Sequence, residues 1–225
     1  MRRALAYGVG AALAYGVLQR LGRTAGSTRA ERRDAMPGDE LVPRPHVVTD
    51  HAIDISAPCE QVWPWLTQMG WHLGGYYTPA WVDRWLFRAN WSSLDSLDPA
   101  LVRDLQVGDV IPNGPPDTAE YVVARVEPGT LVLRSTTHVP PGWERRGAGI
   151  DWTWCLRLAP TDGGAATRLR VRIRGRMRPW WFTALYVAVI VPADFVMSRG
   201  MLRGLKRRVE SRQPPCPSGR TPFTR

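Results

Sequence analysis

From position 167 to 178 the chain alternates without interruption: Leu169, Val171, Ile173, Gly175 and Met177 are interleaved with Arg168, Arg170, Arg172, Arg174, Arg176 and Arg178. A period of two reads as a β-strand whose faces lie in different environments. Apolar on one face and cationic on the other, it fits an antiparallel sheet that buries one side only. Something must cover the apolar face.

Other segments supply partners for this strand. Asp50–Ser56 sets Ile53 and Ile55 against Asp54 and Ser56, and Ile150–Leu158 sets Ile150, Trp152, Trp154, Leu156 and Leu158 against Asp151, Thr153, Cys155 and Arg157. Glu120–Val126 and Leu131–Thr137 form a hairpin around Glu127-Pro128-Gly129-Thr130, and Val107–Ile111 is a shorter strand. After the first strand, Pro58 begins a short helix that carries Pro64 inside it and stops at Gly70. Pro79 begins a second, with Trp81, Val82, Trp85 and Leu86 on one face. Pro179 to Ser211 reads as a helix that Pro192 breaks into an apolar first part and an amphipathic second part. The fold class is therefore α+β. A curved antiparallel sheet of about six or seven strands surrounds a long C-terminal helix, two short helices follow the first strand, and an apolar helix precedes the whole. Domain limits fall at 1–21 for the apolar helix, 22–49 for a polar, proline-punctuated linker, 50–211 for the ligand-binding domain and 212–225 for a disordered tail.

This order resembles the helix-grip fold of START lipid-transfer domains, polyketide aromatase/cyclases and the birch-pollen allergen, the SRPBCC superfamily. Val62-Trp63-Pro64-Trp65-Leu66-Thr67-Gln68-Met69-Gly70 is similar to the V-W-P-W-L-x-Q-M-G signature of a bacterial branch of that superfamily. Gly74-Gly75-Tyr76-Tyr77, Val107-Gly108-Asp109 with Ile111-Pro112, and Phe195-Val196-Met197 through Arg208 are similar to the same branch. So is Met36-Pro37-Gly38-Asp39, which resembles the segment preceding its domain. His72-Leu73-Gly74 stands where related sequences carry Arg-Gly-Gly. The resemblance implies a hydrophobic or amphipathic ligand held in an internal cavity. It implies no single reaction.

The candidate cavity residues are Trp81, Trp85, Tyr121, Trp152, Trp154, Leu156, Met197, Met201 and Leu205, a mostly aromatic and adaptable set; the same side chains suit plain core packing. The acid–base candidates are His72, Asp83, Tyr121, His138 and Asp151, with Asp83 and His72 put forward as catalytic and Asp151 expected on the outer face among the arginines. No metal or cofactor is expected. Cys59, Cys155 and Cys216 form no C-x-x-C or Cys/His cluster, His46 and His51 are isolated, and the serine-hydrolase and zinc-protease spacings are missing.

The chain has 30 Lys+Arg against 20 Asp+Glu, a net charge of +10, and its only lysine is Lys206. The excess is local: residues 1–165 carry 16 basic and 18 acidic side chains, residues 166–225 carry 14 and 2. Two readings of the arginine row are open. It is a solvated outer face partly neutralised by Asp54 and Asp151, or, with Trp180 and Trp181 beside the apolar stretch to Val191, it forms an anionic-membrane surface. Nucleic acid fits less well, since the aromatics of this strand region take the opposite face from the cations.

Ala4–Leu18 is uncharged, with arginines on both sides. At about 1.5 Å per residue it spans roughly 22 Å, short of a hydrocarbon core of about 30 Å. Three readings stay open: a membrane anchor helped by snorkelling arginines, a signal peptide cleaved near Ala25-Gly26-Ser27, which would give a secreted form, or a helix packed on the domain. Ala4, Gly8, Ala12 and Gly16 place small side chains on one face of it, as in paired membrane helices. The favoured localisation is membrane-associated through this helix, on an unassigned side. Binding or transfer of a hydrophobic or lipid-like molecule is the leading function; a metal-free cyclase-type enzyme on a polyketide-like substrate is the runner-up, and a basic nucleic-acid-associated protein the third.

Overall fold

The structure, a computed structural model, describes residues 2–85 and 92–211. The 212–225 tail and Leu86 lie outside the described residues, and the side chains of Asp83 and Trp85 are likewise not described.

Six strands form one antiparallel sheet: β1 (Val47–Ile55), β2 (Val110–Pro112), β3 (Glu120–Glu127), β4 (Thr130–Ser135), β5 (Gly149–Thr161) and β6 (Ala166–Arg178). Their spatial order is β1-β6-β5-β4-β3-β2. The alternating strand sits second from one edge and pairs with β5 along its whole length, from Gly149 opposite Arg178 to Thr161 opposite Ala166. Its odd-numbered residues point inward, where Leu169, Val171 and Ile173 join Leu131, Leu133, Trp154, Leu156 and Leu158 in the main core.

Helices α1 (Arg2–Thr24) and α2 (Arg29–Arg33) precede β1, and the two short helices α3 (Cys59–Thr67) and α4 (Ala80–Trp85) lie between β1 and β2. The tryptophan-rich motif is structural. Trp65, Leu66, Gln68 and Met69 are all buried. The Tyr77 hydroxyl donates to the Trp65 carbonyl at 2.6 Å and accepts from Gln68 Nε2 at 3.1 Å, tying the end of α3 to the chain that follows it.

The C-terminal helix does not break at Pro192. It runs through α5 (Trp180–Leu185), a π-helical segment Tyr186–Ile190, and α6 (Val191–Glu210). Proline has no N–H, so the carbonyl four residues earlier loses its helical donor. That carbonyl belongs to Ala188, and the Tyr15 hydroxyl of α1 donates to it at 2.9 Å. Gln19 Nε2 donates to the neighbouring Val187 carbonyl at 2.6 Å. Helix α1 is longer than the uncharged stretch alone and docks by its C-terminal half on this widened turn. A Cβ on Gly22 would run into the Val191 backbone, so glycine is what permits the approach. Gly8 and Gly16, from the row of small residues, face open space.

Helix α6 grips the sheet through Met201, Leu202, Leu205 and Val209. Gly204 lies directly against the Tyr77 carbonyl and Gly200 against Pro79, so a methyl group at either position would hold the helix off. Among the described residues, the helix long and apolar enough to cross a membrane is Trp180–Glu210. The N-terminal helix, on which the expectation of membrane attachment was placed, does not meet that measure. The qualifying helix also supplies core residues to the sheet.

Residues 25–46, read above as a linker, form an ordered strap across the outer face of β6. Thr28 and Glu31 cap α2 reciprocally. Met36 and Val42 are buried, and Met36 packs with Val132 and Cys155 on the outer side of the sheet. The arginine row is what the strap docks on. Arg168 pairs with Glu31 at 2.9 Å and Asp54 at 3.1 Å, and Arg170 with Asp34 at 3.2 Å. Arg172, only 4% exposed, binds Asp50 at 2.6 Å, Asp39 at 2.9 Å and the carbonyls of Glu31, Arg32 and Asp34. Arg174 reaches Asp39 at 3.5 Å and the Val42 carbonyl at 3.0 Å. The expectation of six guanidinium groups on a free surface is therefore corrected. Four are committed to the strap, while Arg176 and Arg178 stay exposed.

Candidate functional site

A cavity of about 370 Å³ opens between the inner face of the sheet and the first turns of α6. It exists because the residues flanking Trp152 are small. In register, Trp152 has Gly175 on β6 and Ser135 on β4 as neighbours, so its indole meets no bulky side chain across either pair. Trp154, two residues on, has Ile173 and Leu133 opposite it and is packed into the core.

The walls are aromatic. Tyr121 lies with its ring centroid 4.6 Å from that of His138 and 5.5 Å from that of Trp154. His138 stacks on Trp152 at 5.6 Å, and Trp152 meets Tyr186 edge-on at 5.8 Å. Tyr76 completes the wall beside Trp154 and donates its hydroxyl to the Pro112 carbonyl at 3.0 Å. Offset and edge-on contacts at these separations are the favoured arrangements of aromatic rings.

Two polar groups stand out. His138 Nε2 accepts from Asn113 Nδ2 at 2.6 Å, so the ring proton resides on Nδ1 and is donated to Ser135 Oγ at 2.6 Å. Burial pushes the imidazole down to about 4, so at neutral pH it is uncharged and both nitrogens are engaged. Asp194 comes from the first turn of α6 and accepts from Ser198 Oγ, one turn on, at 3.1 Å. Burial raises its carboxyl to about 6, and the serine hydroxyl offsets only part of that rise. The Tyr121 and Tyr186 hydroxyls are pushed up by burial first and by the Asp194 charge second.

The structure brings together Tyr121, Trp152, Trp154, Met197 and Met201 of the cavity residues expected from sequence. Leu156 and Leu205 are solid core instead, at 0% and 1% exposure. Trp81 is half exposed and lines an outer groove with Phe195 and Arg203, because Val82 takes the buried side of α4. His72 stands outside the cavity on an exposed turn with φ of 56°, stacked on Trp71 and bordering a separate cleft formed by residues 112–120. As a catalytic candidate it is therefore displaced. Asp151 lies on the outer face and pairs with Arg134 through both oxygens at 2.9 and 3.0 Å. Trp181 packs with Trp143 and Phe182 in a second small core, leaving Trp180 as the exposed member of the pair. Among the described residues no group of three or more His, Cys, Asp or Glu is placed to hold a metal.

Sequence reasoning missed Asp194 and Ser198. An acid just after Pro192 reads as an ordinary first-turn residue of a helix. The usable signal was its spacing, since Asp194, Met197, Ser198 and Met201 share one face at intervals of three and four.

No protein-family model matches the chain, and no curated protein matches it. Several solved structures are similar. Protein MLL2253 from Mesorhizobium loti is 20% identical, with 75% of this chain and 100% of that one covered, at a TM-score of 0.44. Norcoclaurine synthase from Thalictrum flavum, solved with dopamine and hydroxybenzaldehyde, is 12% identical, with 75% and 88% covered, at a TM-score of 0.43. CalU16 from Micromonospora echinospora is 20% identical, with 73% and 84% covered, at a TM-score of 0.34. Similarity at this level leaves ligand and chemistry to be argued from the residues themselves.

Proposed function

We propose that this protein binds a small hydrophobic, ring-containing molecule in the cavity between the sheet and α6. The observation that carries the proposal is the 370 Å³ space walled by Tyr76, Tyr121, Trp152 and Trp154. Ligand pockets run from about 300 to 1,000 Å³ and are mostly apolar with a few placed polar groups. This one is at the small end, a size that suits one or two fused rings better than a two-chain lipid. A neutral bicyclic probe such as 2-naphthylethanol should bind and quench tryptophan fluorescence saturably. Ile173→Trp, which fills the space from β6, should abolish the effect while the fold is retained. Unchanged binding in that variant would place the probe elsewhere.

A membrane setting is part of the same proposal. Trp180, Leu185, Val189, Ile190 and Val196 are exposed on the closing helix, and Tyr7, Val9, Leu13 and Val17 on α1. Ile190 also borders the cavity, so an apolar surface adjoins its mouth. Exposed Arg199, Arg203 and Arg207 on α6 supply the cationic rim. The full chain should float with anionic vesicles at low salt, and replacing Val189 and Ile190 by serine should weaken flotation. Equal flotation of the two proteins would count against contact through this face.

A metal-free cyclase-type activity is the second reading, and Asp194 is the observation that favours it. A carboxyl near 6 beside the ligand can move a proton at neutral pH. The committed state of the arginines supports setting nucleic acid last, since Arg168, Arg170, Arg172 and Arg174 already hold carboxylates of this chain.

A further inference from the structure

The electrostatic content of the cavity is opposite to that of the chain. The protein carries 30 basic side chains, yet among the described residues none lines this space. Among the described residues, its one formally charged lining group is Asp194, because His138 is neutral and doubly hydrogen-bonded. Several other part-buried carboxylates are met by a cation: Glu31 by Arg168, Asp39 and Asp50 by Arg172, Asp151 by Arg134 and Glu210 by Lys206. Asp194 differs. Among the described residues it has no cation, only the Ser198 hydroxyl. A carboxylate left without a cation in an apolar site is costly, and its neutral form is what the empty site favours. A cation delivered by a ligand would remove that cost and gain a charge-assisted hydrogen bond. The rings of Tyr121, Trp152 and Trp154 border the same space, and aromatic rings attract cations as well as other rings.

We propose that the cavity selects a small aromatic ligand bearing a protonated amine, with Asp194 as its counter-ion and the Tyr121, Trp152 and Trp154 rings as its walls. This rests on the cavity-binding proposal above and narrows it to one ligand class. The groups facing Asp194 are Ser198 on its own helix, Tyr186 on the π-helical segment, Tyr121 on β3 and His138 after β4. Both tyrosines are held neutral and His138 is uncharged near neutrality, so Asp194 alone changes charge between pH 5 and 8.

The test compares three probes that share a ring system: 2-naphthylethylamine, 2-naphthylethanol and 2-naphthylacetate, titrated by calorimetry against the full chain. The amine should bind roughly tenfold tighter than the alcohol at pH 7.5, the size expected of one charge-assisted bond, and the carboxylate should bind weakest. Amine affinity should fall from pH 7.5 to 5, since Asp194 takes up its proton there while the amine keeps its own. Asp194→Asn should erase the amine's advantage over the alcohol and its pH dependence. If the alcohol binds as tightly as the amine, or Asp194→Asn leaves the preference intact, the amine assignment is overturned and cavity binding stands. If none of the three binds, both fall. The wild-type comparison of amine and alcohol decides the matter by itself should Asp194→Asn fail to fold.

Discussion

Asp194 and His138 share a cavity wall system but respond to pH in opposite directions. His138 is held near 4, below the ordinary imidazole value, so between about 4 and 6.5 the unfolded chain binds more protons and stability rises with pH. Buried His51, also near 4, adds to that rise. Asp194 is held near 6, above the ordinary carboxyl value, so between about 4 and 6 the folded chain binds more protons and its contribution falls with pH. The two effects partly cancel in the intact protein. Removing the carboxyl by Asp194→Asn should therefore steepen the rise of stability between pH 4 and 6.5, measured by urea denaturation. A slope unchanged or shallower would contradict the protonation assigned to the cavity. At this scale the sequence was least legible. His72 drew attention because it follows a motif, yet the backbone turns it outward; Asp194 drew none because a first-turn acid in a helix is commonplace.

The arginine strand shows how an element can be read correctly on one face only. Its alternation fixed the strand, the inward set and the antiparallel sheet, because a period of two leaves little choice. The outward set was harder, because arginine on a surface looks the same in sequence whether water or a strap covers it. The strap itself has no apolar period; it is held by carboxylates, carbonyls and a few anchors such as Met36 and Val42. Its weight falls on Arg172. Replacing this residue by methionine would leave Asp50, 7% exposed, without its counter-ion, and breaking a buried pair costs about 3–5 kcal/mol. Cys155 is a free, buried thiol behind Met36. Arg172→Met should loosen the strap and raise the rate at which Cys155 reacts with a thiol reagent. An unchanged rate and an unchanged unfolding midpoint would show that the row does not clamp the strap. The closing helix was also half legible: Pro192 promised a break, and the π-helical segment with Tyr15 and Gln19 supplied by α1 absorbs it instead.

For the whole molecule, strap, sheet and closing helix have one consequence. The strap shields the outer face of β6, α6 covers the inner face, and the small residues Ser135 and Gly175 opposite Trp152 leave a space that neither fills. The order of elements makes a sheet covered by the C-terminal helix legible in the sequence, since an apolar sheet face demands a cover and one long helix is left to provide it. The cavity's polar content was not legible, because it depends on which turn of α6 meets which strand. In the proposed binding mode a ring-containing ligand enters between Trp152 and α6. Indole N–H resonances in a ¹⁵N-labelled sample report this directly, because Trp152 and Trp154 line the cavity while Trp81 and Trp180 are exposed away from it. On titration with 2-naphthylethylamine, the Trp152 and Trp154 signals should shift together and saturate while those of Trp81 and Trp180 hold still. Shifts confined to Trp81 or Trp180 would place binding on the surface and contradict a ligand site in the cavity.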